Sequence, residues 1–177
     1  MDKYYYLAAQ IPYLSPDMDD APTYEWFMAE AAKWLTDNDF KKLTSINIDN
    51  YRKHTSMSVA GSGFAHFENH LRSELAKYRK AQKEDYEYRM ENIPMNLVKE
   101  GNPLEIEKKL ITYRWTFLNE LEFGHYSDLD FLVITALKLQ LLARLSAFDR
   151  DKGKEVFETV VSEKLSQYEN ENQEDQV

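Results

Sequence analysis

From Leu129 to Phe148 the chain reads LDFLVITALKLQLLARLSAF, and after Asp130 only Thr135, Lys138, Gln140, Arg144 and Ser146 interrupt its apolar character. A helix that is apolar on nearly every face belongs inside a protein core or inside a membrane. Two cations in its second half and densely polar flanks select the core. Ser127 and Asp130 have the spacing of a helix-opening capping box, with Asp where Glu or Gln is usual. Asp149 then opens an amphipathic helix with the stripe Val156, Phe157, Val160, Val161, Leu165 and Tyr168, close to a 3.6-residue period. The pattern predicts an all-α bundle of about five or six helices around one buried helix, with a long, partly charged hairpin arm. Residues 1–168 are expected to form a single helical domain, and residues 169–177 a disordered acidic tail.

The rest of the chain agrees with a helical body. At 177 residues it is long enough to bury a substantial core. Aromatic residues make up 14%, which implies either a thick aromatic core or exposed aromatic contact surfaces. Cysteine is absent, which excludes disulfides and thiolate metal sites and is compatible with the cytosol. The opening MDKYYYLAAQIPYL is too short and wrongly flanked for a signal peptide, and no window has the charge-free length of a membrane span. A formal charge of −9 disfavours nucleic acid and anionic lipid as partners and favours a basic protein surface.

Along the chain, Thr23 can cap a helix with the stripe Tyr24, Phe27, Met28, Ala31 and Leu35, and Thr36 with Asp37 can cap a shorter one carrying Phe40 and Leu43. Asn47 to Gly63 is polar and ends in Gly61-Ser62-Gly63, so it reads as a loop. A long helix is expected from about Phe64 to Glu91, becoming almost wholly charged after Arg79, with a break near Pro94. Asn102-Pro103 with Glu105 opens the next helix, and Gly124 closes it.

Four constellations invite a functional reading. His66 and His70 lie four apart, so they share one helix face and offer two metal ligands with Glu68 between them. The order His-x-Glu-Asn-His matches neither metalloprotease order, and no third ligand is evident. A half-exposed face beside Phe67 and Leu71 accounts for both. His125, Asp128 and Asp130 suggest acid–base chemistry. No nucleophile or phosphate-binding loop accompanies them, and acids in a first helical turn complement the dipole. Lys138 and Arg144 sit on the most apolar helix. They either snorkel or pair with carboxylates of neighbouring helices, or else meet a partner. Tyr86, Tyr88 and Met90 lie in the charged arm, where a solvated face is the plain explanation and a partner contact the alternative. No catalytic, cofactor-binding or metal residue is expected, and the chain reads as a non-enzyme.

The run Phe131-Leu-Val-Ile-Thr-Ala-Leu-Lys-Leu-Gln-Leu-Leu-Ala-Arg144, followed by Asp149-Arg-Asp-Lys-Gly-Lys-Glu-Val-Phe157, resembles the end of the central-stalk socket family of V-type ATPases, the all-helical proteins that join the rotor stalk to the membrane ring. The aromatic opening Tyr4-Tyr-Tyr-Leu-Ala-Ala with Pro12 and Leu14 is also similar. Phe67-Glu-Asn-His-Leu71-Arg72 and Asn102-Pro103-Leu104-Glu105-x-Glu107 are similar to a shorter bacterial family of unassigned function, typically encoded beside V-type ATPase genes. That likeness runs over roughly residues 4–165. The socket family has three similar helical lobes, of which this chain has room for one and part of another. The resemblance implies a non-catalytic, all-helical adaptor on the cytoplasmic side of the inner membrane, peripheral to it through the complex. Its partners would be the rotor stalk and the proteolipid ring, in ATP-coupled ion or proton transport, with no cofactor. The arm Arg79 to Asn92 and the loop Asn47 to Gly63 are the expected contact regions. The different reading that remains open is a free-standing cytoplasmic interaction or regulatory domain.

Overall fold

A computed structural model describes residues 4–18, 20–50, 58–91, 93–148 and 157–162. Among these residues there is helix and no strand, so the chain is all-α. In chain order the helices are α1 (Tyr5–Ala8), α2 (Tyr24–Trp34), α3 (Asp37–Thr44), α4 (Val59–Lys83), α5 (Asn96–Lys99), α6 (Pro103–Glu122) and α7 (Leu129–Ser146). Two of the seven, α1 and α5, are single turns. Residues 157–162 are also helical and exposed. The other parts of the expected helix from Asp149 to Tyr168, and the acidic tail, lie outside the described residues.

The chain divides into two compact units, Met1–Ala143 and Arg144–Val177. In the first, α1 packs on α2, α2 on α3, α4 on α6 and α5 on α6. The capping chemistry legible in sequence forms these helices. Thr23 accepts from the Trp26 N–H at the start of α2, and Thr36 from the Asp39 N–H at the start of α3. Asn102 and Glu105 make a reciprocal capping box ahead of α6, with Pro103 at its first position.

The helix α7 is the buried element. Every residue from Leu132 to Leu139 is buried, with Leu141 and Leu142, and this run includes Thr135 and Lys138. Thr135 satisfies its hydroxyl by donating to the Phe131 carbonyl one turn back. Gln140 holds the chain beyond α3 in place. Its amide donates to the Ile46 carbonyl at 3.0 Å and its oxygen accepts the Ile48 N–H at 2.9 Å. A second cluster of Leu71, Leu75, Met90, Ile93 and Leu110 lies between α4 and α6.

Three boundaries differ from the sequence expectation. Gly61-Ser62-Gly63 belongs to α4, which starts at Val59 with Ser58 capping the Gly61 N–H. Gly61 is buried, and a Cβ added at Gly63 would sit 3.3 Å from Leu121 of α6. Gly63 serves close approach of α4 to α6, and that packing outweighs its poor helix propensity. At its other end α4 stops at Lys83 instead of running to Glu91. Asp85 takes φ 54°, and the Tyr86 N–H returns to the Ala81 carbonyl at 3.1 Å. That is a Schellman-type stop with Asp in the left-handed position usually given to Gly. The expected hairpin arm is therefore an irregular segment folded back beside α4. Finally, Asp128 and not Ser127 caps α7, accepting the Phe131 N–H at 2.9 Å.

Candidate functional site

Two buried carboxylates of α4, Glu68 and Glu74, hold segments of the fold together. Glu68 of α4 has no exposed surface and accepts a bidentate fork from Arg114 of α6, with both contacts at 2.9 Å. Arg72, one turn on, adds a third contact at 2.6 Å and reaches the Ile48 carbonyl at 3.3 Å. Burial pushes the Glu68 carboxyl up, but the hydrogen bonds and charge of Arg114, then of Arg72, outweigh it and hold it below its ordinary value. Glu74 is buried and ties down the segment after α4. It accepts the Tyr88 hydroxyl at 3.0 Å, the Glu91 N–H at 3.2 Å and the Lys77 ammonium at 2.9 Å. The Lys77 hydrogen bond is the largest influence on Glu74; burial opposes it, the Glu91 and Tyr88 bonds reinforce it, and the carboxyl is held low.

Of the residues expected to meet a partner, Met90 is 4% exposed inside the second cluster, and Tyr88 is half-buried on Glu74. Lys138 is 3% exposed, donates to Glu122 at 2.6 Å and lies 5.5 Å above the Trp115 ring. Met90 and Lys138 face inward, whereas Tyr88 keeps part of its surface exposed. Tyr86 is exposed, and Arg144 is exposed in the last turn of α7.

His66 and His70 are both exposed on α4 and line an open groove of about 490 Å³ between α4 and α6. Its floor is aromatic. Phe67 stacks on Phe117 with ring centres 4.0 Å apart, and Tyr113 lies 5.4 Å from Phe67. No third His, Cys, Asp or Glu ligand joins the two histidines among the described residues.

Ligand atoms of His125, Asp128 and Asp130 lie within 4.8 Å of one another. Helix capping accounts for this grouping. The Asp128 carboxylate bonds the His125 ring and the Phe131 N–H, while Asp130 accepts the Ala60 N–H of α4 at 2.8 Å. The cluster thus sits between the N-terminal ends of α7 and α4, whose positive dipole ends favour carboxylates and disfavour a cation. Burial raises the Asp128 carboxyl, but the His125 and Phe131 hydrogen bonds outweigh it and hold it low.

Sequence inspection missed the surface at α1 and α2. Tyr6 stacks on Trp34 with ring centres 5.5 Å apart and planes at 18°, and Tyr5 meets Tyr6 edge-on at 5.9 Å. All three remain exposed, at 65% for Tyr5, 68% for Tyr6 and 45% for Trp34. The signal present in sequence was the Tyr4-Tyr5-Tyr6 run itself, of which only Tyr4 turns inward.

No curated protein and no solved structure matches the chain. Over residues 87–167, which include α6 and α7, it is similar to a family described as a protein of unknown function (DUF2764).

Proposed function

We propose that this chain is a non-catalytic component or accessory protein of a bacterial V-type ATPase, an adaptor between rotor stalk and membrane ring on the cytoplasmic side. The resemblance of Phe131 to Arg144 and its flanks to the end of the central-stalk socket family motivates the assignment. The observation that carries it is the division of labour among side chains. Glu68 and Lys138 are engaged in ion pairs, Asp128 and Asp130 in helix caps, and Glu74 in tying the segment after α4 to that helix, while aromatic rings are presented at the surface. A body whose charges hold its shape and whose rings face outward is suited to docking. Among the described residues no helix is long and apolar enough to cross a membrane, which agrees with attachment through other proteins of the complex.

Co-expression with the stalk and ring proteins of a V-type ATPase tests the proposal. A native complex that contains the chain, with no ATP hydrolysis by the chain alone, is the expected result. Failure to join any ATPase component, or turnover of ATP by the isolated chain, overturns it. Stable association with unrelated cytoplasmic proteins instead would favour a free-standing interaction domain.

A further inference from the structure

We infer that the Tyr5–Tyr6–Trp34 platform is a docking surface for an arginine-bearing protein segment. This inference stands on the platform's own residues and does not depend on the ATPase assignment.

The platform is held rigidly. The Tyr4 N–H donates to the Ser127 carbonyl at 2.8 Å, and the Tyr4 hydroxyl donates to Asp39 of α3. These bonds tie the start of α1 to α3 and to the turn before α7, while α1 itself packs on α2, where Tyr6 is seated on Trp34. Pre-organised, exposed aromatic rings lose little entropy on binding and are the side chains that dominate contact energies.

Charge selects the occupant. The described residues of the segment 4–44, which carries α1 to α3, hold six acidic and three basic side chains. Asp17, Asp20, Glu25 and Asp37 are exposed, and Asp37 lies three residues beyond Trp34. Two of the three cations of this segment are paired, Lys33 with Glu30 and Lys42 with Asp39 at 3.6 Å, and the third, Lys41, is exposed in the last turn of α3. A stacked, exposed ring pair on an acidic segment, with Asp37 three residues beyond Trp34, suits a planar guanidinium, which lies flat on an aromatic face and forks its donors to an acid. A lysine ammonium satisfies the charge but not the stacking. An anionic membrane is repelled by the same acids.

The probe is a synthetic helical peptide with arginines at four-residue spacing, beside its lysine and citrulline counterparts and neutral phosphatidylcholine vesicles. Binding is read by isothermal titration calorimetry on the whole chain, and the Trp34 indole N–H resonance reports the site wherever Trp34 is present. The arginine peptide should bind several-fold more tightly than the lysine peptide, and the citrulline peptide should show no saturable binding. Tyr6→Ala and Trp34→Ala should each weaken it by about tenfold, the loss expected of an aromatic anchor. Asp37→Asn, which leaves both rings in place, should lower the affinity and flatten its salt dependence. Tyr86→Ala, at the exposed ring following α4, should leave the affinity unchanged. Equal binding of arginine and lysine peptides, indifference to loss of Tyr6 and Trp34, or no peptide binding at all overturns the inference. Capture by neutral vesicles through the same rings, without peptide binding, replaces it with a lipid-facing role.

Discussion

At the scale of single residues, the Glu68 site shows how exposure and geometry rank two arginine contacts to one carboxylate. Both Arg114 and Arg72 bond the same buried carboxylate, but the Arg114 side chain is 11% exposed and that of Arg72 is 41% exposed. Water screens the second pair, and exposed ion pairs contribute about 0–1 kcal/mol. Removing one member of a buried pair strands the other and costs about 3–5 kcal/mol. Arg114→Ala should therefore lower stability to denaturant several times more than Arg72→Ala. Similar losses in the two variants, measured by urea unfolding, would show that burial does not rank these contacts. Little of this could be read from sequence. Glu68 drew notice only as the acid between two histidines, whereas its partner Arg114 lies 46 positions away on another helix. The histidines, chosen for their spacing, sit exposed on a groove. The acid, passed over, is the residue that fastens α4 to α6. Lys138 was better marked, because a cation in an otherwise apolar helix must find a carboxylate or leave the core. The sequence offered both of those routes and did not name Glu122.

At the scale of elements, α7 carries the largest share of the core, and its burial has a direct energetic consequence. Leu139 is 2% exposed, so truncating it leaves a void as well as losing transfer energy, and Leu139→Ala should cost about 2–5 kcal/mol. The matching surface change is Glu91→Ala. The Glu91 backbone N–H bonds Glu74, which the substitution preserves, and its side chain is exposed, so the effect should stay within about 0.5 kcal/mol. Comparing the two unfolding midpoints checks the placement of the core; equal midpoints would contradict it. Elements were legible where periodicity, caps and proline agreed, as at α2, α3, α6 and α7. They were misread at both ends of α4, for opposite reasons. At Gly63 a local sign of looseness is overridden by helix contact through Leu121, and Gly61 is buried in the same turn. At Asp85 a true stop carried no sign, because neither Gly nor Pro marks it and Asp takes the left-handed conformation instead. The stop at Asp85 is also what sets Tyr88 and Met90 against α4 instead of on the protruding arm the sequence predicts. Past Asp85 the chain reverses onto α4, and Glu74 collects the Tyr88 hydroxyl and the Glu91 N–H.

At the scale of the whole molecule, charge works in two opposing ways, and acid titration separates them. The chain carries −9, so protonating its many exposed acids relieves repulsion and favours the compact state. That repulsion is spread over the surface and is screened within about 8 Å at physiological salt. Glu68, Glu74 and Asp128 act locally and are held by specific donors, and the carboxyl of each lies below its ordinary value in the folded chain. A group whose folded pKa is depressed contributes stability that is complete above its unfolded value. That contribution is lost as pH falls through the folded value. The three groups therefore predict stability that is nearly level from neutrality to about pH 5 and then declines, because free carboxylates titrate near 4. The buried site of Glu68 should dominate this decline, since protonating it leaves Arg114 without its ionic partner in a part-buried setting. Glu68→Gln keeps the size of the side chain and removes its titration. It should lower stability at neutral pH and flatten the loss below pH 5, which a series of urea midpoints across pH will read. A wild-type chain that gains stability on acidification would mean that relief of surface repulsion outweighs the paired acids. A Glu68→Gln chain with the wild-type slope would mean that the acid sensitivity resides at Glu74 or Asp128 instead of at the joint between α4 and α6.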